Sequence, residues 1–94
     1  VSVIDTLTNS VTNTIGVGSY YPQGIAFDPV HNRMYVTNEY SNSVSIIDTL
    51  TNSITNTTIG VGSYPDGIAF DPVHNRMYVA NRDGGQPNSV SIIR

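Results

Sequence analysis

The apolar residues of this chain fall into short runs, each closed by Asp, Asn, Pro or Gly. Ile25-Ala26-Phe27, Met34-Tyr35-Val36-Thr37 and Val44-Ser45-Ile46-Ile47-Asp48 are built of β-branched and aromatic residues at strand length. No segment sustains apolar residues at the spacing of a helix face, so the pattern predicts strands alone. Four short antiparallel strands are expected in each unit: position A at Ile25 to Phe27, B at Met34 to Thr37, C at Val44 to Asp48, and D at about Ile54 to Val61.

The unit repeats. GIAFDPVHNRMYV at residues 24 to 36 recurs unchanged at 67 to 79, DTLTNS at 5 to 10 recurs at 48 to 53, and VSII at 44 to 47 recurs at 90 to 93, a period of 43 to 46 residues. Four antiparallel strands at that period describe a propeller blade. The expected fold is therefore all-β, a β-propeller fragment of about two four-stranded antiparallel blades, with strand order C-D, A-B-C-D, A-B-C. Residues 1 to 94 form one partial propeller, divided into repeats 1–43 and 44–89 and the start of a third at 90–94.

Tyr35-Val36-Thr37-Asn38 and its second copy Tyr78-Val79-Ala80-Asn81 give the chain a clear likeness. With Pro22, Gly24, the Asp28-Pro29 pair and the VSxID runs at 1 to 5 and 44 to 48, it resembles the YVTN β-propeller repeat family over essentially its whole length. The resemblance implies a propeller and, among relatives, surface-layer-like and other exported proteins. An extracellular or cell-surface setting is expected from it, with the periplasm as a further option. Fold does not name a function, because these repeats mainly build the ring.

The two copies differ in few places. Val11-Thr12-Asn13-Thr14-Ile15 becomes Ile54-Thr55-Asn56-Thr57-Thr58-Ile59, and the added residue predicts a bulge near Thr57 and Thr58. Tyr20-Tyr21-Pro22 against Tyr64-Pro65 restores the register before strand A. The other differences include Gln23 against Asp66, Thr37 against Ala80, and the B-to-C loop. In an antiparallel blade the D-to-A and B-to-C loops share one end. Substitutions and length changes outside strands gather there, whereas the turns DPVHNR and DTLTNS at the other end are copied. Divergence on one rim suits contact with partners. The candidate rim residues are Tyr20, Tyr21, Gln23, Glu39, Tyr40, Tyr64, Asp66, Arg82, Asp83 and Gln86.

Charge narrows the partners. The net charge is −3, and the only basic side chains are Arg33, Arg76, Arg82 and Arg94, too few and too scattered to track phosphates. Nucleic acid is excluded on that ground, and no run is apolar enough for a membrane-spanning helix. With no cysteine, thiolate metal sites and disulfides are absent. No catalytic, cofactor or metal residues are assigned. His31 and His74 lie in identical Asp-Pro-Val-His-Asn-Arg turns, in which Asn32 and Asn75 suit a left-handed backbone. Asp5, Asp28, Asp48 and Asp71 are expected to cap turn amides. Asp83-Gly84-Gly85-Gln86-Pro87-Asn88 reads as a turn without the ligand spacing of a calcium loop, and Asn56-Thr57-Thr58 is a sequon produced by the insertion.

Both faces of strand B are apolar, Met34 and Val36 on one side and Tyr35 on the other. Each blade therefore needs neighbours, from further blades of the same chain or from copies associating in a ring. The opening Val1-Ser2-Val3 has neither an initiator Met nor a signal-like region, so a longer parent chain is expected. The functional expectation is a non-catalytic structural or interaction module that presents one loop rim to protein or glycan. The alternative is part of a lactonase-like or dehydrogenase-associated propeller enzyme with its site over the central channel.

Overall fold

A computed structural model describes residues 1–18, 21–82 and 88–94, leaving aside the side chains of 56 and 57. Among the described residues nine strands follow one another: β1 (Ser2–Asp5), β2 (Ser10–Thr14), β3 (Pro22–Asp28), β4 (Arg33–Asn38), β5 (Ser43–Asp48), β6 (Ser53–Gly60), β7 (Pro65–Asp71), β8 (Arg76–Asn81) and β9 (Ser89–Ile93). They form three antiparallel sheets, β1-β2, β3-β4-β5-β6 and β7-β8-β9. The expected strand order is the observed one, and the architecture is that of β-propeller blades. No helix among the described residues is long and apolar enough to cross a membrane.

Turn chemistry sets where the strands end. Asn9, Asn32, Asn52 and Asn75 all take the left-handed backbone in the copied turns, the conformation that Asn tolerates best after glycine. The preceding aspartates cap the same turns: Asp5, Asp28, Asp48 and Asp71 accept from the amides of Leu7, Val30, Leu50 and Val73 at 2.8–2.9 Å. A second device works at the other end. Asn38 is fully buried and donates from Nδ2 to the hydroxyls of Ser45 (2.8 Å) and Ser43 (3.3 Å), and Asn81 does the same to Ser91 and Ser89. The last residue of the YVTN tetrapeptide thus clips each second strand to its third.

The bulge in β6 lies just before Thr58, which already pairs with Ser45, while Ile54 pairs with Ile47. β2 carries a smaller irregularity at the corresponding place, between the Val3–Asn13 and Ile4–Val11 pairs. The added residue enlarges an existing bulge rather than creating one, so the strand beyond it keeps its faces.

The central sheet is covered on both sides. Val36, Ile47 and Ile15 form one core with Val1, Val3, Val17 and Met34, against β1-β2. Tyr35, Val44 and Ile46 form the other with Met77 and Val79, against β7-β8-β9. The outer sheets repeat this chemistry, and among the described residues nothing packs on their outward faces. Ile47 is 2% exposed and its counterpart Ile4 57%, while Val44 is fully buried and its counterpart Val90 is 60% exposed. Equivalent positions thus differ in whether neighbours are present, both a sheet packed on the face and a strand alongside, since β1 and β9 are edge strands while β5 lies between β4 and β6.

Candidate functional site

Pro22, Asn38, Ser43 and Gly60 are successive partners across the central sheet, so the start of β3, the end of β4, the start of β5 and the end of β6, with the described residues that flank them, share one end of the sheet. This is the rim marked by sequence divergence. Tyr20, Asp83 and Gln86 lie outside the described residues; the other seven candidates fall into two groups.

Gln23, Glu39, Asp66 and Arg82 form a chain of polar contacts across two blades. Gln23 Nε2 donates to Glu39 Oε2 at 2.7 Å, the Arg82 guanidinium donates to Glu39 Oε1, and Arg82 Nε lies 3.3 Å from Asp66 Oδ2. Glu39 sits in a short 3-10 turn at Glu39–Ser41 and is buried, whereas Arg82 is largely exposed. Gln23 and Asp66 are equivalent positions in the repeat, as are Glu39 and Arg82. The differences between copies are therefore complementary: one blade supplies the acid and the next supplies the base that meets it. A double-mutant cycle with Glu39→Gln and Arg82→Gln should give a coupling of about 1 kcal/mol that shrinks in high salt, measured by chemical denaturation.

A backbone junction lies beneath that chain. The Thr37 hydroxyl accepts from the Gly24 amide at 2.8 Å and donates to the Asp66 carbonyl of the next blade at 2.8 Å. A Cβ on Gly24 would lie 2.6 Å from that same carbonyl oxygen, so glycine lets β3 and β7 approach this closely. At the equivalent of Thr37 stands Ala80, which has no hydroxyl to offer the next junction.

The other group is aromatic. Tyr21, Tyr40 and Tyr64 are all exposed; the rings of Tyr21 and Tyr40 are 4.4 Å apart and tilted at 51°, and those of Tyr40 and Tyr64 meet edge to face at 6.0 Å and 84°. Tyr40, Asn42, Ser63 and Tyr64 line a cleft of about 300 Å³. Asn42, itself left-handed, accepts at its side-chain oxygen from the Tyr64 amide at 3.1 Å and tethers the wall of this cleft. Tyr21 and Tyr64 also take left-handed backbone, φ 56° and 52°. That conformation costs an ordinary residue about 1–2 kcal/mol. Their carbonyls accept from the amides of Glu39 and Arg82 at 3.0 Å, which holds both turns in place.

The opposite end holds the histidines in the turns where they were expected. His31 Nδ1 pairs with Asp28 Oδ2 and His74 Nδ1 with Asp71 Oδ2, both at 2.8 Å. Burial of Asp28 opposes its charge, but bonds from the His31 ring and from the turn amides outweigh burial and hold its pKa below the usual value of 3.8. The His74 ring bond does the same for Asp71, helped by the turn amides. A depressed carboxylate pKa stabilises the fold above the unfolded-state value, and the contribution disappears as pH falls through the folded-state value. Stability should therefore drop below about pH 4, and Asp28→Asn should flatten that drop in thermal melts recorded against pH.

Sequence reasoning missed two features here. Asp28, His31, Arg33 and Tyr35 of one blade and Phe70, Asn75, Met77, Ile93 and Arg94 of the next line a cleft of about 240 Å³ between the sheets. Leu7, Val30, Leu50 and Val73 stand exposed at the tips of the copied turns. Both follow from the turns' positions in space, which the repeat pattern alone does not convey. Among the described residues, no group of three or more His, Asp or Glu side chains stands at metal-binding spacing.

Fold and rim together define the chain as a β-propeller module. Over 96% of its length it is similar to a chain of Kuenenia stuttgartiensis hydrazine synthase, with a TM-score of 0.85 and 32% identity. It spans only 25% of that chain's length. No protein-family model and no curated protein matches it.

Proposed function

We propose that the chain is a non-catalytic structural and interaction module of the YVTN type: a propeller scaffold that presents one loop rim to protein or glycan partners. The observation that carries this reading is the division of labour on the rim. Glu39, Arg82, Asp66 and Gln23 are engaged with one another, while Tyr21, Tyr40 and Tyr64 point to solvent as a cluster. Exposed tyrosines offer large contact area at small entropic cost, which favours recognition. The YVTN resemblance and the lysine-free, Ser-, Thr- and Asn-rich composition support an extracellular, cell-surface or periplasmic setting.

The bare outer faces belong to the same reading. Val90 and Ile92 on one side and Ile4 on the other are exposed copies of residues that are buried in the central sheet. They are suited to further blades, from the same polypeptide or from other copies closing a ring. Light scattering combined with circular dichroism tests this: a β-rich, monodisperse multimer is expected of the isolated chain if copies close a ring. A well-folded, monodisperse monomer at micromolar concentration would show that the faces need no neighbour.

The second reading is a propeller enzyme, lactonase-like or dehydrogenase-associated. The inter-blade cleft beside Asp28 and His31 is the feature that suits it. Stoichiometric calcium or zinc in the folded assembly would support a metal-dependent form of it.

A further inference from the structure

Seven non-glycine residues among those described take a left-handed backbone, and five of them are Asn, the residue best suited to it. The two exceptions are both tyrosines, Tyr21 and Tyr64, and each stands directly before the proline that opens a first strand. Asparagine would relieve the backbone at either position, yet both blades carry tyrosine. Backbone strain held at equivalent surface positions points to a use for the side chains themselves.

The surroundings define what those side chains can meet. Among the described residues the nearby charges are already engaged, Glu39 with Gln23 and Arg82, and Arg82 with Asp66. The cleft beside Tyr40 and Tyr64 therefore has aromatic walls and polar groups from Asn42 and Ser63, and no cation or anion lines it among the described residues. At about 300 Å³ it is at the lower limit of ligand-sized pockets, ample for a single sugar ring. An aromatic wall takes the apolar C–H face of a pyranose, and amide and hydroxyl groups at its margin take the ring hydroxyls. The left-handed tyrosine recurs with the blade, so Tyr21 and Tyr64 offer a ligand built of repeating units two contacts of the same kind.

We propose that the Tyr21–Tyr40–Tyr64 cluster is a binding site for a neutral polysaccharide, with a sugar ring seated in the cleft that Tyr40, Asn42, Ser63 and Tyr64 line. This rests on the reading of the rim as a recognition surface and selects glycan over protein as its ligand. The recurring tyrosine contact and the uncharged cleft favour a repeating, uncharged chain.

The test titrates the folded assembly with cello-, chito-, xylo- and manno-oligosaccharides, from disaccharide to hexasaccharide, followed by calorimetry and tyrosine fluorescence. At least one series should bind, with the hexasaccharide stronger than the disaccharide by roughly tenfold or more as the second tyrosine contact engages. Tyr40→Ala and Tyr64→Asn should each weaken that binding roughly tenfold. Tyr64→Asn keeps a residue that favours the left-handed turn, so its fold is preserved even if Tyr40→Ala is unstable. Absence of binding across all four series overturns the proposal, as does full binding by Tyr64→Asn. If no saccharide binds while a protein partner is lost on Tyr64→Asn, the glycan assignment falls and the recognition rim stands. If Tyr64→Asn changes no interaction with either class, both fall.

Discussion

Ile47→Ala is expected to destabilise the chain by about 2–5 kcal/mol, the range for emptying a buried aliphatic position that its surroundings cannot refill. Ile47 is 2% exposed and packs with Ile15 and Val36 against the β1-β2 sheet. The informative comparison is Ile4→Ala, the same residue type at the same repeat position but on a bare face. In a monomer that change should fall within about 0.5 kcal/mol of wild type. If another blade covers the face, Ile4→Ala should instead approach the cost of Ile47→Ala, and the difference between the two should depend on protein concentration. Urea unfolding of both variants at two concentrations reads this directly.

The second large effect is steric. Gly24→Ala should cost about 1–3 kcal/mol from overpacking alone, because the new Cβ would meet the Asp66 carbonyl, a backbone atom of a neighbouring strand. Pushing β3 away from β7 would also open the paired hydrogen bonds of the buried Thr37 hydroxyl, adding to the loss. Gly67 holds the equivalent position in the next blade, and a Cβ there meets nothing within 4 Å. Gly67→Ala should therefore leave an isolated chain almost unchanged and block the seating of a further blade. Unfolding curves for both variants, with light scattering for the second, separate the two outcomes.

The strands were legible because their chemistry is local. β-branched runs ended by Asp-Pro and Asn positions mark both edges of most strands, and Asn32 and Asn75 adopt the backbone expected of them. The bulge in β6 was legible from one inserted threonine, but the smaller one in β2 was not, since a bulge without an insertion leaves the length unchanged. The copies diverge in loops that flank one end of the sheets, yet the division of those residues into a polar chain and an aromatic cluster was hidden. That Glu39 meets Arg82 depends on the distance between adjacent blades, and a linear comparison shows only that one residue was exchanged for another. The left-handed tyrosines were equally hidden, because nothing in Tyr-Pro signals a positive φ.

The two uncovered faces are different surfaces: one carries the pattern that in the central blade looks forward along the chain, the other the pattern that looks back. Contacts between copies would thus be heterologous, each molecule using one patch to receive and another to give. Such contacts do not limit their own growth; only the rotation from one unit to the next decides between a closed ring and an open fibre. The tilt of one blade on its neighbour, held by Gly24, Thr37 and the Glu39–Arg82 contact, is therefore also what would decide whether an assembly of copies has a definite size.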